Sequence, residues 1–352
     1  MGLYDRKIYN CKGMKILILT SGGVDSTYCV IRNSKIGYKN IYCLYIKVWQ
    51  NNCKYKNDIK ILNKIKKIIN FKIIILDMEK EYYKNIFLPF IKLYKLGFSP
   101  NCDIFCNEKI KFKCIKKIKI KKKINIIFSG HYIKILKNNI FCSLDLKKDQ
   151  SFFLCRTNLK NIKFPLGFFL KKDIIFLIKF LNIKVAKSSK GICFIEKNIE
   201  QILNKEVGKI YAKVKYNNKT IGKTSFFKTT GQKIYLNNNI YYIYNKIRKE
   251  KILNVCNNFN SSLLFIKLIS ISKINFRKNL SKKIINILVK IRNCSNLEKA
   301  FIFFYKKKIF INFVNLQRNI SLGQIISIYN KKKMLILSGN INLSFGKGFV
   351  NF

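Results

Sequence analysis

Acidic residues are scarce in this chain: 16 Asp and Glu stand against 71 Lys and Arg in 352 residues, a formal net charge of +55. Histidine occurs once, at position 131, tryptophan once and proline three times. No uncharged apolar run approaches the ~18 to 20 residues that a membrane-spanning helix needs, so no membrane partner is expected. Met1 to Gly13 carry charges and lack the apolar centre of a signal peptide, and a soluble, cytoplasmic protein is expected. Twelve cysteines are present, but not in the short secreted framework that implies disulfides, so free thiols are expected. The phosphate-binding string Gly-x-x-x-x-Gly-Lys-Ser/Thr is absent, and no internal repeat is evident.

What is present is a globular composition. Hydrophobic content of 49% with 14% aromatic residues excludes a disordered chain, and the length allows two or three domains with cores. The abundant Lys, Ile, Asn, Phe and Tyr share A- and T-rich codons, so the basic charge reflects a genomic bias at least as much as a function. The run Lys116 to Lys123 therefore reads as a solvated face. The charge still favours any polyanion, because each neutralised phosphate releases counterions.

The chain is organised around Met14 to Ser26. The apolar run Ile16–Leu19 reads as a buried parallel strand. It stops at Thr20-Ser21-Gly22-Gly23, where glycine lets the backbone turn sharply and approach a ligand. Ser26-Thr27 opens a helix. Strand, glycine turn and helix start aim backbone N–H groups and the positive helix end at one spot suited to phosphate. Further strands are expected at Ile41–Ile46, Phe71–Leu76 and Ile124–Phe128. Helices are expected at Asp58–Ile69 and about Tyr82–Leu96, the latter capped by Gly97. Residues 98–107 read as a loop entering a basic helix that ends near Lys123. This alternation predicts an α/β domain with a parallel Rossmann-like sheet and ligands at the carboxyl ends of its strands. From Ile210 the segments become short, β-rich and separated by Asn, Gly and Lys turns. The expected division is 1–206 for the α/β domain, 207–270 for a small β-rich centre and 271–352 for a β-barrel-like end.

The string Ser21-Gly22-Gly23-Val24-Asp25-Ser26 resembles the S-G-G-x-D-S signature of the PP-loop ATP pyrophosphatases, of the HUP class of Rossmann-like folds. Downstream stand Ser99-Pro-Asn-Cys-Asp-Ile-Phe-Cys-Asn107, Gly130-His-Tyr132, Lys148-Asp-Gln-Ser-Phe-Phe-Leu154 and Gly191-Ile-Cys-Phe-Ile195. In this order and rough spacing, they make the chain similar to the bacterial-type tRNA-specific 2-thiouridylases, from about residue 14 to the C-terminus. Two departures are visible. Cys102 replaces the proline of the family's N-P-D triplet. Gly222 to Lys233 lacks the histidine and arginine of the family's central-domain motif.

The resemblance implies ATP, with Mg²⁺, cleaved between the α and β phosphates to adenylate the C2 oxygen of a tRNA wobble uridine. It implies sulfur delivered by a cysteine persulfide. Leu19, Thr20, Ser21, Gly22, Gly23, Val24, Asp25 and Ser26 match the phosphate-holding loop, Ile46 a position near adenine, and Gly130 a glycine that approaches the nucleotide. Cys193 matches the persulfide carrier and Cys106 its nucleophilic partner, the two ending as a transient disulfide. Asp103 is a candidate base. Asn101, Cys102, Asp103, His131, Lys148, Asp149 and Gln150 match tRNA-contacting positions, as do Arg292, Asn293 and Gln324 in the barrel. A cysteine desulfurase or a relay protein would supply the sulfur. Other readings stay open for single residues: Asp103 as a helix cap, His131 as a structural residue, and the cysteines as small buried hydrophobes. Cys102, Cys106 and Cys193, or Asp103 with two of them, can also be read as ligands of an iron–sulfur cluster, though none is expected. A basic tRNA-binding protein without catalysis is the remaining alternative.

Overall fold

A computed structural model of the chain describes residues 13–49, 52–185, 199–278, 285–293, 295–346 and 349–350. The chain forms two compact units, Met1–Asn85 with Ile104–Phe194, and Ile86–Asp103 with Ile195–Phe352.

The first unit is built on a parallel sheet. Strand β1 (Lys15–Leu19) leads through the glycine turn to helix α1 (Val24–Lys35). Then follow β2 (Asn40–Lys47), α2 (Asn52–Ile68) and β3 (Lys72–Asp77). With β4 (Ile126–Ser129), the hairpin strands β5 (Ile133–Leu136) and β6 (Asn139–Cys142), and the short β7 (Ile162–Lys163), the sheet order is β3-β2-β1-β4-β7, every pairing parallel. Ile16, Ile18, Val30, Ile41, Ile65, Phe71 and Phe128 pack into one buried cluster of this unit. The strand order reverses between β1 and β4, so the crevice at their carboxyl ends is where such a sheet takes a ligand.

Four expected elements differ in detail, the first being α2, which starts at Asn52 rather than at Asp58. The helix placed at about Tyr82–Leu96 is α3 (Glu79–Tyr82), a π-turn at Tyr83–Phe87 and α4 (Leu88–Lys95). Pro89 has no N–H for the carbonyl four residues back, and the helix widens ahead of it. The loop expected through Asn107 becomes helical at α5 (Cys102–Cys106), passes a π-turn at Asn107–Lys111 and continues as α6 (Phe112–Lys122). Pro100 disfavours helix at Ser99, and the helical run starts beyond it. The strand expected from Ile124 starts at Ile126, because Lys123 adopts φ 52° and the Ile124 N–H still closes the helix onto Lys119 O, at 2.9 Å. The β5–β6 hairpin and helix α7 (Lys171–Phe180) complete this unit.

The second unit is β-rich, as expected, with α4 packed against α8 (Ile199–Val207). Its first sheet contains β8 (Tyr211–Tyr216), β9 (Lys219–Ser225), β10 (Lys233–Leu236), β11 (Asn239–Ile247) and β12 (Ile252–Cys256), around Val214, Phe226, Ile243 and Leu253. Six strands follow: β13 (Phe265–Phe276), β14 (Ile285–Lys290), β15 (Glu298–Tyr305), β16 (Lys308–Arg318), β17 (Ile325–Tyr329) and β18 (Leu335–Gly346). They pair antiparallel in the order β13-β16-β15-β14-β17-β18, and β18 returns to β13. That last pairing closes the barrel around Ile269, Val289, Ile302, Phe313 and Ile328.

Candidate active site

At the end of β1 the backbone turns through Gly22 at φ +72°, a conformation that side chains resist. Ser26 locks the turn: its hydroxyl accepts from the Ser21 N–H (3.2 Å) and donates to Gly23 O (3.1 Å). Helix α1 starts from Gly23 with no side-chain hydrogen bond capping it. Among the described residues no side chain caps its first N–H groups, and its positive end suits an anion. Gly130, at the end of β4, lies against this first turn. A Cβ there would be 3.2 Å from the Asp25 carbonyl carbon and the Ser26 nitrogen, so any side chain would crowd the first turn of α1. Leu19 and Ile46 are half-buried at the ends of neighbouring strands, Thr20 is buried and Ser21 is exposed. These features fit a polyphosphate.

Asp25 is bound on both sides. Its Oδ1 accepts from the Tyr132 hydroxyl at 2.7 Å and from the Lys171 ammonium at 2.5 Å. Burial, and then the Asp25 carboxylate, push the Tyr132 phenol up, so it stays protonated and donates. Lys171 was not expected from the sequence. One lysine among 71 basic residues carries no signal, and 146 positions separate it from Asp25.

The Gly130-His-Tyr132 and Lys148-Asp-Gln150 stretches are tied to each other. The Tyr132 N–H donates to Gln150 Oε1 and the Gln150 N–H donates to Tyr132 O, both at 2.9 Å. Asp149 is buried and accepts from the Ser143 and Ser151 N–H groups and from the Ser151 hydroxyl. Lys148 is exposed. His131 shares a 2.7 Å hydrogen bond between Nδ1 and the Ser129 hydroxyl and lies beside the rings of Phe112 and Phe164. Burial, with Lys111 nearby, pushes its pKa down to about 3, so the imidazole is neutral. Asp149, Gln150 and His131 thus have structural partners that their motifs did not announce.

Cys102 and Cys106 lie one turn apart on α5 and are each 2% exposed. Asn107 follows and donates to Phe153 O at 3.2 Å, while Glu108 pairs with Arg156 at 3.3 Å. These contacts fix the end of α5 to the residues after Gln150. Asp103, in the first turn of α5, is half-buried. Cys193, and with it the expected pairing to Cys106, lies outside the described residues. Among the described residues no group of three His, Cys, Asp or Glu side chains is placed to hold a metal ion.

The remaining expected residues belong to the second unit. Asn101 Oδ1 accepts from the Ile325 N–H at 2.7 Å, and the Ser99 N–H donates to Leu322 O at 3.0 Å, so the segment before α5 is stitched to the start of β17. Gln324 closes the turn there, its Oε1 accepting from the Ser321 N–H at 3.3 Å. The Arg292 guanidinium donates to Asn319 O at 2.7 Å, and Asn293 Oδ1 is buried with no hydrogen-bond partner among the described residues.

A family model described as the tRNA methyl transferase HUP domain matches residues 14–197, just over half of the chain. A tRNA-specific 2-thiouridylase of Karelsulcia muelleri is 29% identical over 375 aligned residues, covering 93% of this chain and 98% of that protein. One from Buchnera aphidicola of Acyrthosiphon pisum is 32% identical and covers 74% of this chain and 78% of its own length. One from Metamycoplasma arthritidis is 31% identical, with 73% and 78% covered. No helix among the described residues is long and apolar enough to cross a membrane. With an uncapped helix start at a glycine turn, at the switch point of a parallel sheet, and with these relatives along most of its length, the chain belongs to the family of tRNA-specific 2-thiouridylases.

Proposed function

We propose that the protein thiolates the C2 position of the wobble uridine of tRNA at the expense of ATP, releasing AMP and pyrophosphate. The observation that carries the reading is the uncapped start of α1, with Lys171 and Tyr132 gathered on Asp25 beside it. Amide N–H groups and a lysine ammonium beside the helix start stabilise negative charge as it moves onto a leaving pyrophosphate. Asp25 is the ligand available to the Mg²⁺ that accompanies ATP, through the oxygen that Tyr132 and Lys171 leave open.

In the proposed reaction the uridine O2 attacks the α-phosphorus and the bond to pyrophosphate breaks. The adenylated carbon is then open to sulfur. Cys193 carries a sulfane sulfur as a persulfide, and the Cys106 thiolate attacks the Cys193 sulfur. A Cys106–Cys193 disulfide forms, and the displaced sulfide attacks C2 and expels AMP. A thiol reductant resets the pair, and a cysteine desulfurase or relay protein reloads Cys193. Burial of Cys106 shields its thiol from stray oxidants between turnovers. Asn101, Cys102 and Asp103 are proposed to face the base, with Asp103 as candidate base. Lys148, Arg292 and Gln324 are proposed to lie along the tRNA, with His131, expected there from its motif, supporting the segment that carries Tyr132. The three-part division at 206/207 and 270/271 is retained as the functional one, with catalysis in the first part.

The test is the fate of ATP in the presence of unmodified tRNA and a persulfide donor. AMP and pyrophosphate, formed only when tRNA is present, are expected. ADP and inorganic phosphate as the main products would exclude the reading.

A further inference from the structure

The second unit contains a pocket that the proposed reaction does not use. Its walls come from the α4–α5 connection through Ser99, from the β9–β10 connection through Thr229, from Lys246 at the end of β11 and Arg248 just beyond it, and from the barrel through Ser321 and Ser344. Among the described residues no Asp or Glu lines it.

Lys246 is only 9% exposed. Its ammonium donates to Phe226 O at 2.6 Å and to Lys228 O at 3.0 Å, which occupies two of its three hydrogens. Arg248, two positions on, lies with its guanidinium 4.1 Å from the centroid of the Phe98 ring. The two basic groups thus line one cavity with no carboxylate beside them. Burial pushes Lys246 down to about 7, and the Arg248 charge pushes the same way. A bound anion would act in the opposite sense and favour the charged ammonium.

The hydroxyl groups divide in the same sense. Thr230 Oγ1 lies 2.7 Å from Ile320 O and 2.6 Å from Ser321 Oγ, so those two hydroxyls spend their hydrogens on the backbone and on each other. Ser99, Thr229 and Ser344 also line the cavity. A planar guanidinium, a point-like ammonium and several hydroxyls suit the oxygens of a tetrahedral phosphate better than an apolar or cationic ligand.

We propose that this pocket is a phosphate site that receives a backbone phosphate of tRNA, with Lys246 and Arg248 as its cations. The assignment rests on the tRNA reading above. It gives the central sheet a task in substrate holding in a chain that lacks the family's central-domain histidine and arginine. A free phosphate ion offers the same oxygens, and the experiment separates the two sources.

The full-length protein is titrated with fluorescent tRNA by anisotropy across ~50 to 300 mM salt, as wild type, Arg248→Gln, Arg248→Lys and Lys246→Met. Loss of one phosphate contact lowers the slope of log K against log salt by about 0.9 to 1. Arg248→Gln is expected to show that loss, with wild-type thermal unfolding, and Arg248→Lys to recover most of it. Lys246→Met also removes the hydrogen bonds to Phe226 and Lys228, so if it unfolds Arg248→Gln decides alone. An unchanged slope in folded Arg248→Gln overturns the proposal. If inorganic phosphate, at matched ionic strength, raises the melting temperature of wild type but not of Arg248→Gln while the tRNA slope stays the same, the tRNA assignment is overturned in favour of a free-anion site. If tRNA binds with the Arg248-dependent slope but no 2-thiouridine ever forms, the thiolation reading fails and the phosphate site stands. If no tRNA binds at all, both fail.

Discussion

With Asp25 held between the Tyr132 hydroxyl and the Lys171 ammonium, the two partners have separable consequences. Lys171 sits at the start of α7 and brings a positive charge to a site where pyrophosphate would leave. Lys171→Met is expected to lower ATP turnover by roughly 10²-fold or more, the scale on which a preorganised electrostatic partner acts, while tRNA affinity changes by less than about twofold. Release of labelled AMP measures the first and anisotropy the second. Turnover within about threefold of wild type would remove Lys171 from the chemistry. His131 gives a pH signature. In the unfolded chain it titrates near the ordinary ~6.5, whereas in the fold burial holds it at about 3. Between those values the unfolded state binds a proton that the folded state refuses, so stability is intact above ~6.5 and falls as pH drops toward 3. His131→Phe is expected to flatten the melting temperature from pH 6.5 to 4 relative to wild type. Parallel curves for the two proteins would show that the imidazole is not held neutral.

At the scale of elements, the turns carry the mark of the composition. The loops of the β5–β6, β8–β9, β10–β11 and β15–β16 hairpins are two residues long, and both residues of each have positive φ. They are Lys137-Asn138, Asn217-Asn218, Asn237-Asn238 and Lys306-Lys307, where such turns favour Asn-Gly. Left-handed lysine costs of the order of 1 kcal/mol relative to glycine. Lys307→Gly is therefore expected to stabilise the barrel by about 0.5 to 1 kcal/mol in reversible denaturation, and a loss of stability would show that the Lys307 stem packs usefully. The same turns explain what was legible. The parallel strands were readable because Ile16–Leu19 and Ile41–Ile46 are unbroken apolar runs. The β5–β6 hairpin was not, because Lys137-Asn138 carries no glycine to announce a turn. The π-turn before Pro89 depends on a hydrogen bond that is missing, and periodicity does not record it. Of the site, the glycine turn was legible from local spacing, whereas Cys106 and Cys193 were singled out only by the family resemblance. The bonds of Asp25 to Tyr132 and Lys171, or of Asn101 to Ile325, span 107, 146 and 224 positions, and no local pattern encodes them.

For the molecule as a whole, the +55 charge sets how it meets a polyanion. If ~6 to 10 phosphates are contacted, tRNA affinity is expected to fall by about 10³ to 10⁵ between 50 and 200 mM salt, with modest discrimination between tRNAs at low salt. A sharp preference among tRNAs that persists at low salt would assign more of the binding to base contacts than to charge. The central claim is that the glycine turn, the Asp25 cluster and the two motif cysteines form one thiolation machine. Its most direct test is mass spectrometry of tRNA nucleosides from cells that lack wobble-uridine thiolation and express this chain. Wild type is expected to restore 2-thiouridine, and Cys106→Ser, Cys193→Ser and Asp25→Ala to leave it absent, each with soluble protein present. Folded wild-type protein without 2-thiouridine, or a normal level of 2-thiouridine with Cys193→Ser, would contradict the account.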